Sequence, residues 1–267
     1  MTTGRELRAA LAQQLEGDRW LGITTVPMQP PPPPPRRSSP TPRPHAKPRP
    51  PAGTPAARPT PKDDPDAAER AARLARLNRD KVTDCTNCPL SQTRTQTVFG
   101  QGSASTRLVF VGEAPGRDED QQGVAFVGRA GQLLTRMIAA MGLARDDVFI
   151  CNVLKCRPPD NRDPAADEIL ACSPYLYEQL AIIAPEVIVA LGAPAAKTLL
   201  RTSASIGKLR GRFHDFYVSG SDGIGDATPL MPTYHPAYLL RSPGEKVKSW
   251  ADLKMVMALL GLDGAQG

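Results

Sequence analysis

Four short apolar runs alternate with helical segments, and this alternation limits what the chain can fold into. The runs are rich in β-branched and aromatic residues, as buried strands are, and they cover residues 108–111, 148–153, 187–191 and 231–234. Apolar residues at helical spacing cover residues 66–81, 132–142, 164–184, 193–200 and 245–260. Strands that alternate with helices predict a parallel sheet with helices on both faces.

Three polar residues lie at the ends of these predicted strands. Glu113 follows the first strand, Asn152 lies in the second, and His235 follows the fourth. Because the carboxyl ends of parallel strands meet at one edge of the sheet, we expect a binding site there. The loop after the first strand reads Gly-Glu-Ala-Pro-Gly. It lacks both the GxGxxG spacing of dinucleotide sites and the Gly-Lys-Ser/Thr of a Walker loop.

Proline and charge divide the chain into unequal parts. Residues 30–62 hold seven Lys or Arg, no Asp or Glu, and a run of six prolines. Such a segment buries too little apolar surface to fold. We therefore predict an N-terminal helix in 1–22, a disordered basic linker in 23–65 and a folded domain in 66–267. The linker either attracts phosphates without sequence preference or serves only as a soluble spacer. The remaining residues are close to neutral, so their net charge does not indicate a binding partner.

The chain shows neither a secretory signal nor an apolar stretch long enough for a bilayer. We expect a soluble, intracellular protein located in the cytoplasm. Five cysteines in a reducing compartment favour metal binding or catalysis over disulfides.

Four of the cysteines form a candidate metal-binding set. Cys85 and Cys88 make a C-x2-C pair, while Cys156 and Cys172 follow singly. Four thiolates suit either zinc or an iron–sulfur cluster. The missing second C-x2-C pair leans towards iron–sulfur, but spacing alone leaves the two nearly even. Cys151 lies inside a predicted strand and is interpreted as a small core residue.

Taken together, the motifs resemble the family 4 uracil-DNA glycosylases, which are iron–sulfur members of the uracil-DNA glycosylase superfamily. The resemblance covers roughly residues 80–260. It is carried by the cysteine set, the Gly-Glu-Ala-Pro-Gly loop, and the segments Ala-Phe-Val-Gly (125–128), Asn-Val-Leu-Lys-Cys-Arg-Pro-Pro (152–159) and His-Pro-Ala-Tyr-Leu (235–239). Glu113 argues against relatives that have leucine at this position.

The resemblance implies a fold, a cofactor and a substrate. The fold is a three-layer α/β/α sandwich with a four-stranded, mainly parallel central sheet. The cofactor is a structural 4Fe–4S cluster on Cys85, Cys88, Cys156 and Cys172. The substrate is uracil-containing DNA, single- or double-stranded, acted on by a monomer that works at the nucleoid.

The resemblance also assigns roles around an extruded uracil. Phe126 stacks on the base, and Asn152 reads its edge, because an amide can pair with N3–H and O4 together. Backbone groups of Glu113, Ala114 and Pro115 line the pocket. His235 stabilises the departing uracil anion at O2.

Two further sets of residues follow from the same resemblance. Either Glu113 or Glu119 positions the attacking water, and the sequence does not choose between them. Asp118 and Asp120 are interpreted as solvated surface. Contacts to DNA are assigned to two leucines that wedge into the base stack and an arginine that holds phosphate, namely Leu239, Leu240 and Arg241.

Two rival functions stay open at this point. The first is a non-catalytic or covalently trapping uracil-DNA-binding protein on the same fold. Residues 117–123 are acidic and contain no histidine, which argues against trapping. The second is a metal-stabilised module that serves an assembly through its proline-rich arm, whose partners the sequence does not identify.

Overall fold

The computed structural model describes residues 64–218 and 227–262. The predicted N-terminal helix and nearly all of the predicted linker lie outside the described residues, so both stay predictions.

The described residues form one six-stranded sheet, whereas four strands were predicted. The strand order is β1-β3-β2-β4-β6-β5. The strands are β1 (Gln101–Gly102), β2 (Leu108–Gly112), β3 (Phe149–Asn152), β4 (Val187–Leu191), β5 (His214–Phe216) and β6 (Thr228–Thr233).

The difference in strand number comes from the two edges of the sheet. The four predicted strands are neighbours in its centre and run parallel: β3 with β2, β2 with β4, and β4 with β6. The edge strands β1 and β5 are antiparallel to β3 and β6. They contain two and three residues, which is too short for a periodic pattern in the sequence.

Eight α-helices accompany these strands within the described residues. They are α1 (Ala67–Leu77), α2 (Arg117–Gln122), α3 (Arg129–Ala140), α4 (Ala166–Ile183), α5 (Ala193–Leu200), α6 (Ile206–Leu209), α7 (Pro236–Arg241) and α8 (Lys246–Leu260). The predicted helix 66–81 is α1 continued by a π-helical turn, Asn78–Val82.

The acidic segment after the first strand is helical. Helix α2 begins after Gly116, and the Glu119 carboxylate accepts a hydrogen bond from the Gly116 backbone N–H at 3.1 Å. This bond satisfies a backbone donor at the start of the helix, where the helix itself has no acceptor for it.

The side chains of each central strand alternate between two separate cores. Val109 and Val111 of β2 pack in a core with residues of α1, α4 and α5. Leu108 and Phe110 pack on the other face with residues of α3, α7 and α8. Helices therefore cover both faces of the sheet, as the strand–helix alternation predicts. None of the described helices has the length and apolar content that crossing a membrane requires.

Candidate functional site

The residues predicted to recognise a base lie together at the carboxyl edge of the parallel strands. A cavity of about 460 Å³ opens at this edge, where β2, β3 and β6 end. Its walls include all six predicted substrate-binding residues: Glu113, Ala114, Pro115, Phe126, Asn152 and His235. The expected convergence of strand ends therefore produces one site.

Phe126 forms a wall of this cavity through an unusual backbone conformation. Its φ angle is +53°, a left-handed value that side chains bulkier than glycine rarely adopt, and its ring is 6% exposed. The ring centroid lies 5.6 Å from that of His235. Phe126 therefore belongs both to the core and to the wall of the cavity.

Two glycines make this position of Phe126 possible, and sequence reasoning did not assign them that role. A Cβ on Gly112 would lie 2.5 Å from Phe126 Cζ and would also collide with Asn152 Oδ1. A Cβ on Gly131 would collide with the backbone carbonyl of Phe126. A signal was present in the sequence, because a glycine at the end of a buried strand often marks a close approach.

Asn152 lines the cavity and has an unpaired side-chain oxygen. The residue is 1% exposed, and its Oδ1 has no hydrogen-bond partner within the described residues. A buried acceptor without a donor costs about 1–3 kcal/mol, so such atoms are rare unless a ligand or water binds them. The Asn152 amide therefore has the properties expected of a ligand-reading group.

His235 is held as a neutral imidazole with a defined tautomer. It caps the N-terminus of α7, where its Nδ1 accepts a hydrogen bond from the Ala237 backbone N–H at 3.1 Å. Burial lowers the pKa of His235 to about 4, and Arg241 contributes to the same shift. With Nδ1 as an acceptor, the proton of the neutral ring resides on Nε2, which is left to donate.

Glu113 and Glu119 both line the cavity, but they differ in what their carboxylates do. The Glu119 carboxylate accepts three backbone N–H groups, those of Gly116, Val127 and Gly128, at 2.9–3.1 Å. It therefore ties the loop after β2 to the segment that carries Phe126. The Glu113 carboxylate makes no such bond within the described residues. Its pKa is raised by burial and, to a smaller extent, by Asp163.

The two aspartates beside Glu119 have different environments, although both were interpreted as solvated. Asp118 is exposed, as expected. Asp120 is buried, and its carboxylate accepts the backbone N–H of Thr95 at 3.0 Å. The interpretation of Asp120 is therefore wrong, because its acceptor role depends on a loop 25 residues earlier in the chain.

The three residues assigned to DNA contact lie at the end of α7 and not in a loop. Leu239 is fully buried in the core, so its interpretation as an intercalating side chain is corrected to that of a core anchor. Leu240 is 40% exposed, and Arg241 is exposed at the mouth of the cavity. Of the two leucines, only Leu240 can reach a partner without rearranging the core.

The four predicted metal-ligating cysteines surround a second, much smaller space. Its cavity volume is about 10 Å³, against about 460 Å³ for the base cavity, and its walls include Cys85, Cys88, Cys156 and Cys172. Cys151 is instead buried inside β3, so its interpretation as a core residue is confirmed. Within residues 64–218 and 227–262, no three His, Cys, Asp or Glu side chains are grouped so as to hold a single metal ion.

Three of the four cavity sulfurs have hydrogen-bonding neighbours. Arg94 Nη1 donates to Cys156 Sγ at 3.3 Å, and the Lys155 backbone N–H donates to Cys172 Sγ at 3.2 Å. The Tyr175 hydroxyl lies 3.3 Å from Cys85 Sγ. Such contacts orient sulfur ligands and stabilise negative charge on them. The residues present therefore fit a metal–thiolate group better than they fit a plain apolar core.

Comparison with known proteins identifies the chain's relatives. The family model of the Uracil DNA glycosylase superfamily matches residues 99–254. A Type-4 uracil-DNA glycosylase of Thermotoga maritima is 46% identical over 176 residues, which is 66% of this chain and 88% of that protein. The Type-4 enzyme of Saccharolobus solfataricus is 46% identical over 172 residues, covering 62% and 77% of the two chains.

A third relative gives the same result. The Type-4 uracil-DNA glycosylase of Sulfurisphaera tokodaii is 45% identical over 186 residues, covering 68% of this chain and 82% of the relative. The pocket, the cysteine set and these similarities agree, and the chain belongs to the uracil-DNA glycosylase superfamily, alongside its type-4 members.

Proposed function

We propose that this protein is a uracil-DNA glycosylase. It extrudes a uracil nucleotide from DNA and hydrolyses the N-glycosidic bond, which leaves an abasic site and begins base excision repair. The observation that supports this most is that Asn152, whose buried Oδ1 is unpaired, lines the same cavity as Phe126 and His235.

Asn152 selects uracil through the pattern of its amide. Its Oδ1 accepts the uracil N3–H while its Nδ2 donates to O4. Cytosine presents an unprotonated N3 and an amino group at the same two positions, so it would place two donors together and two acceptors together. An unpaired buried group would result on both sides, and this mismatch disfavours cytosine strongly.

Phe126 holds the plane of the base. An aromatic ring that is fixed by its neighbours offers a flat surface for stacking, and base–aromatic stacking contributes about 1–3 kcal/mol. Glu119 supports this geometry, because its carboxylate holds the two backbone N–H groups that follow Phe126. The left-handed backbone at Phe126 is then a strain that serves binding.

His235 stabilises the leaving group. When the C1′–N1 bond breaks, its electron pair stays on uracil, and the negative charge spreads to O2. The Nε2–H of a neutral imidazole donates a hydrogen bond to O2, and this hydrogen bond becomes stronger as the negative charge develops. Because the pKa of His235 is lowered to about 4, the ring acts as a hydrogen-bond donor and need not transfer its proton.

Glu113 positions the attacking water. Glu113 lines the cavity, and its carboxylate has no hydrogen bond within the described residues, whereas the Glu119 carboxylate accepts three backbone donors. The water oxygen adds to C1′, and the Glu113 carboxylate accepts the proton that the water gives up. Burial raises the pKa of Glu113, which makes it a better proton acceptor.

The end of α7 contacts the DNA around the extruded nucleotide. Leu240 is exposed and enters the gap that the base leaves in the stack, while Arg241 binds a phosphate. The adjoining Leu239 fixes the segment to the core.

The four cavity cysteines hold a 4Fe–4S cluster with a structural role. In such a cluster each cysteine binds its own iron, which suits four sulfurs that surround a shared space instead of meeting at one point. The cysteines that would hold the cluster lie in three separate segments, before β1, after β3 and in α4, which a bound cluster would join. The same proposal divides the chain into an N-terminal helix (1–22), a linker (23–65) and a catalytic domain (66–267). It also includes a monomeric state and action at the nucleoid.

Release of uracil tests the function directly. Duplex and single-stranded oligonucleotides with one uracil are incubated with the protein, and abasic sites are revealed by alkaline cleavage. We expect cleavage at the uracil position, much slower cleavage by Asn152→Ala, and largely retained activity without residues 1–62. A tight complex without free uracil would support a binding protein, and a covalent adduct would support a trapping one.

A further inference from the structure

A buried lysine lies between the base cavity and the cysteine cavity. Lys155 is 1% exposed, although lysine is among the residues least often buried. Its Nζ donates to the backbone carbonyl of Asn152 at 2.7 Å and to Gln179 Oε1 at 2.6 Å. Gln179 is itself fully buried and donates to the carbonyl of Phe99 at 2.8 Å. The side chain of Lys155 is therefore fixed at both of its acceptors.

The backbone of Lys155 is fixed as firmly as its side chain. Its N–H donates to Cys172 Sγ at 3.2 Å, and its carbonyl accepts the Val98 N–H at 2.7 Å. The residue also lines the cysteine cavity. Lys155 thus contacts Asn152 through its side chain and also borders the site of the proposed cluster.

Packing alone does not explain a lysine at this position. A buried amino group costs several kcal/mol unless it is well bonded, and apolar residues of similar size often replace buried charges without loss of stability. What an apolar residue cannot supply is the bond to Asn152. The next two residues are already held, because the N–H groups of Val153 and Leu154 donate to the carbonyls of Gly112 and Glu113 at 3.0 Å. The carbonyl of Asn152 is held by Lys155.

We propose that Lys155 is a positioning residue for Asn152, which fixes the peptide that carries the uracil-reading amide. This inference rests on the proposed function. Since Asn152 has an unpaired Oδ1, its side chain gains no orientation from a bond of its own there, and the direction of the amide depends on how its backbone is held. Lys155 acts through Asn152 and touches neither the base nor the reacting atoms.

A double-mutant cycle tests this role in the full-length, cluster-containing protein. The variants are Lys155→Met, Asn152→Ala and their combination, and the control is Lys197→Met, which changes an exposed lysine on α5. For Lys155→Met we expect kcat on uracil-containing DNA to fall about tenfold to hundredfold, because the variant leaves the buried Asn152 carbonyl without its donor. KM should stay within about twofold, because phosphate contacts dominate DNA binding.

The combined variant decides whether Lys155 acts through Asn152. We expect it to be no slower than Asn152→Ala alone, because the effects of two substitutions on kcat do not add when the two residues act as one unit. Full additivity, or a Lys155→Met enzyme with wild-type kcat, would overturn the inference. The visible absorption per protein should match that of the wild type, and a loss of absorption in proportion to kcat would assign the lysine to the cluster instead.

A milder variant keeps the test open if Lys155→Met does not fold. Gln179→Leu removes the second acceptor of Lys155 and leaves the bond to Asn152 in place. We expect a severalfold fall in kcat that disappears in the Asn152→Ala background; a fall that persists there would overturn the inference. If the wild type releases no uracil, the proposed function fails. If it does and Lys155→Met matches it, only this inference fails.

Discussion

The base cavity and the cysteine cavity are built on the same short segment, residues 152–156, yet they are opposite in character. The base cavity is open and retains an unpaired oxygen on Asn152 and a left-handed backbone at Phe126. The cysteine cavity is much smaller, and three of its four sulfurs have hydrogen-bonding neighbours. Unpaired groups and strain are thus found where a substrate is expected, and satisfied groups where a permanent cofactor is expected.

Burial also has opposite consequences in the two cavities. In the base cavity it lowers the pKa of His235 to about 4, which keeps a neutral donor ready at physiological pH. In the cysteine cavity it raises the pKa of Cys172 to about 11. A thiol of this kind becomes a thiolate when a metal binds and displaces its proton. The same physical effect therefore prepares one site for hydrogen bonding and makes the other dependent on its cofactor.

The largest expected effect separates the cysteines of the cavity from the cysteine of the strand. Cys172→Ser should lose the visible absorption of the cluster and most of the cooperative unfolding transition, because bound metal supplies part of the folding free energy. Cys151→Ala should keep the visible absorption. Its free energy of unfolding should fall by only about 1–2 kcal/mol, because only a small buried group is removed. Iron analysis and thermal unfolding measure both. Equal cluster content in the two variants would contradict the assignment.

The next largest effect separates two glutamates of the base cavity. Glu113→Gln should lower kcat by about a hundredfold or more, as loss of a general base does, with an unchanged melting temperature. Glu119→Gln should instead lower the free energy of unfolding by about 1–3 kcal/mol, because its carboxylate is bonded to three backbone N–H groups. Single-turnover kinetics and urea unfolding of both variants provide the comparison. The reverse pattern would exchange their roles.

A smaller effect concerns the pH dependence of stability. The pKa of His235 is about 4 in the folded protein against 6.5 as its ordinary value, so between these pH values the unfolded chain binds a proton that the folded chain does not. Stability should therefore be complete above pH 6.5 and fall as the pH drops towards 4. Between pH 7 and pH 5, the wild type should lose about 2 kcal/mol more than His235→Gln. Urea unfolding at both pH values measures this, and equal losses would contradict a neutral, buried imidazole.

The sequence predicted three of the central strands closely, because buried parallel strands are continuous apolar runs. The fourth, β6, begins three residues before the predicted 231–234 and contains two prolines and two threonines. The edge strands β1 and β5 escaped prediction because two or three residues carry no period. For the site, Phe126, Asn152, His235 and the cysteines were predicted from the resemblance, and the structure brings the first three into one cavity.

Residues whose partners are distant in the chain were missed. The carboxylate of Asp120 accepts from a loop 25 residues earlier, and Lys155 bonds Gln179 from 24 residues away. Neither contact can be predicted from the local pattern of apolar and polar residues. Gly112 is a third example, because the need for a bare Cα at this position appears only once Phe126 and Asn152 are placed against it.

The most direct test of the central claim changes the pattern of the reading amide. Asn152→Asp replaces the Nδ2 donor with an acceptor that no longer pairs with uracil O4, and a protonated aspartate would instead suit cytosine. The measurement is the rate of base release from matched oligonucleotides that contain either uracil or cytosine. We expect uracil release to fall by about a hundredfold or more and the preference for uracil over cytosine to shrink. Unchanged release of uracil by Asn152→Asp would contradict the account.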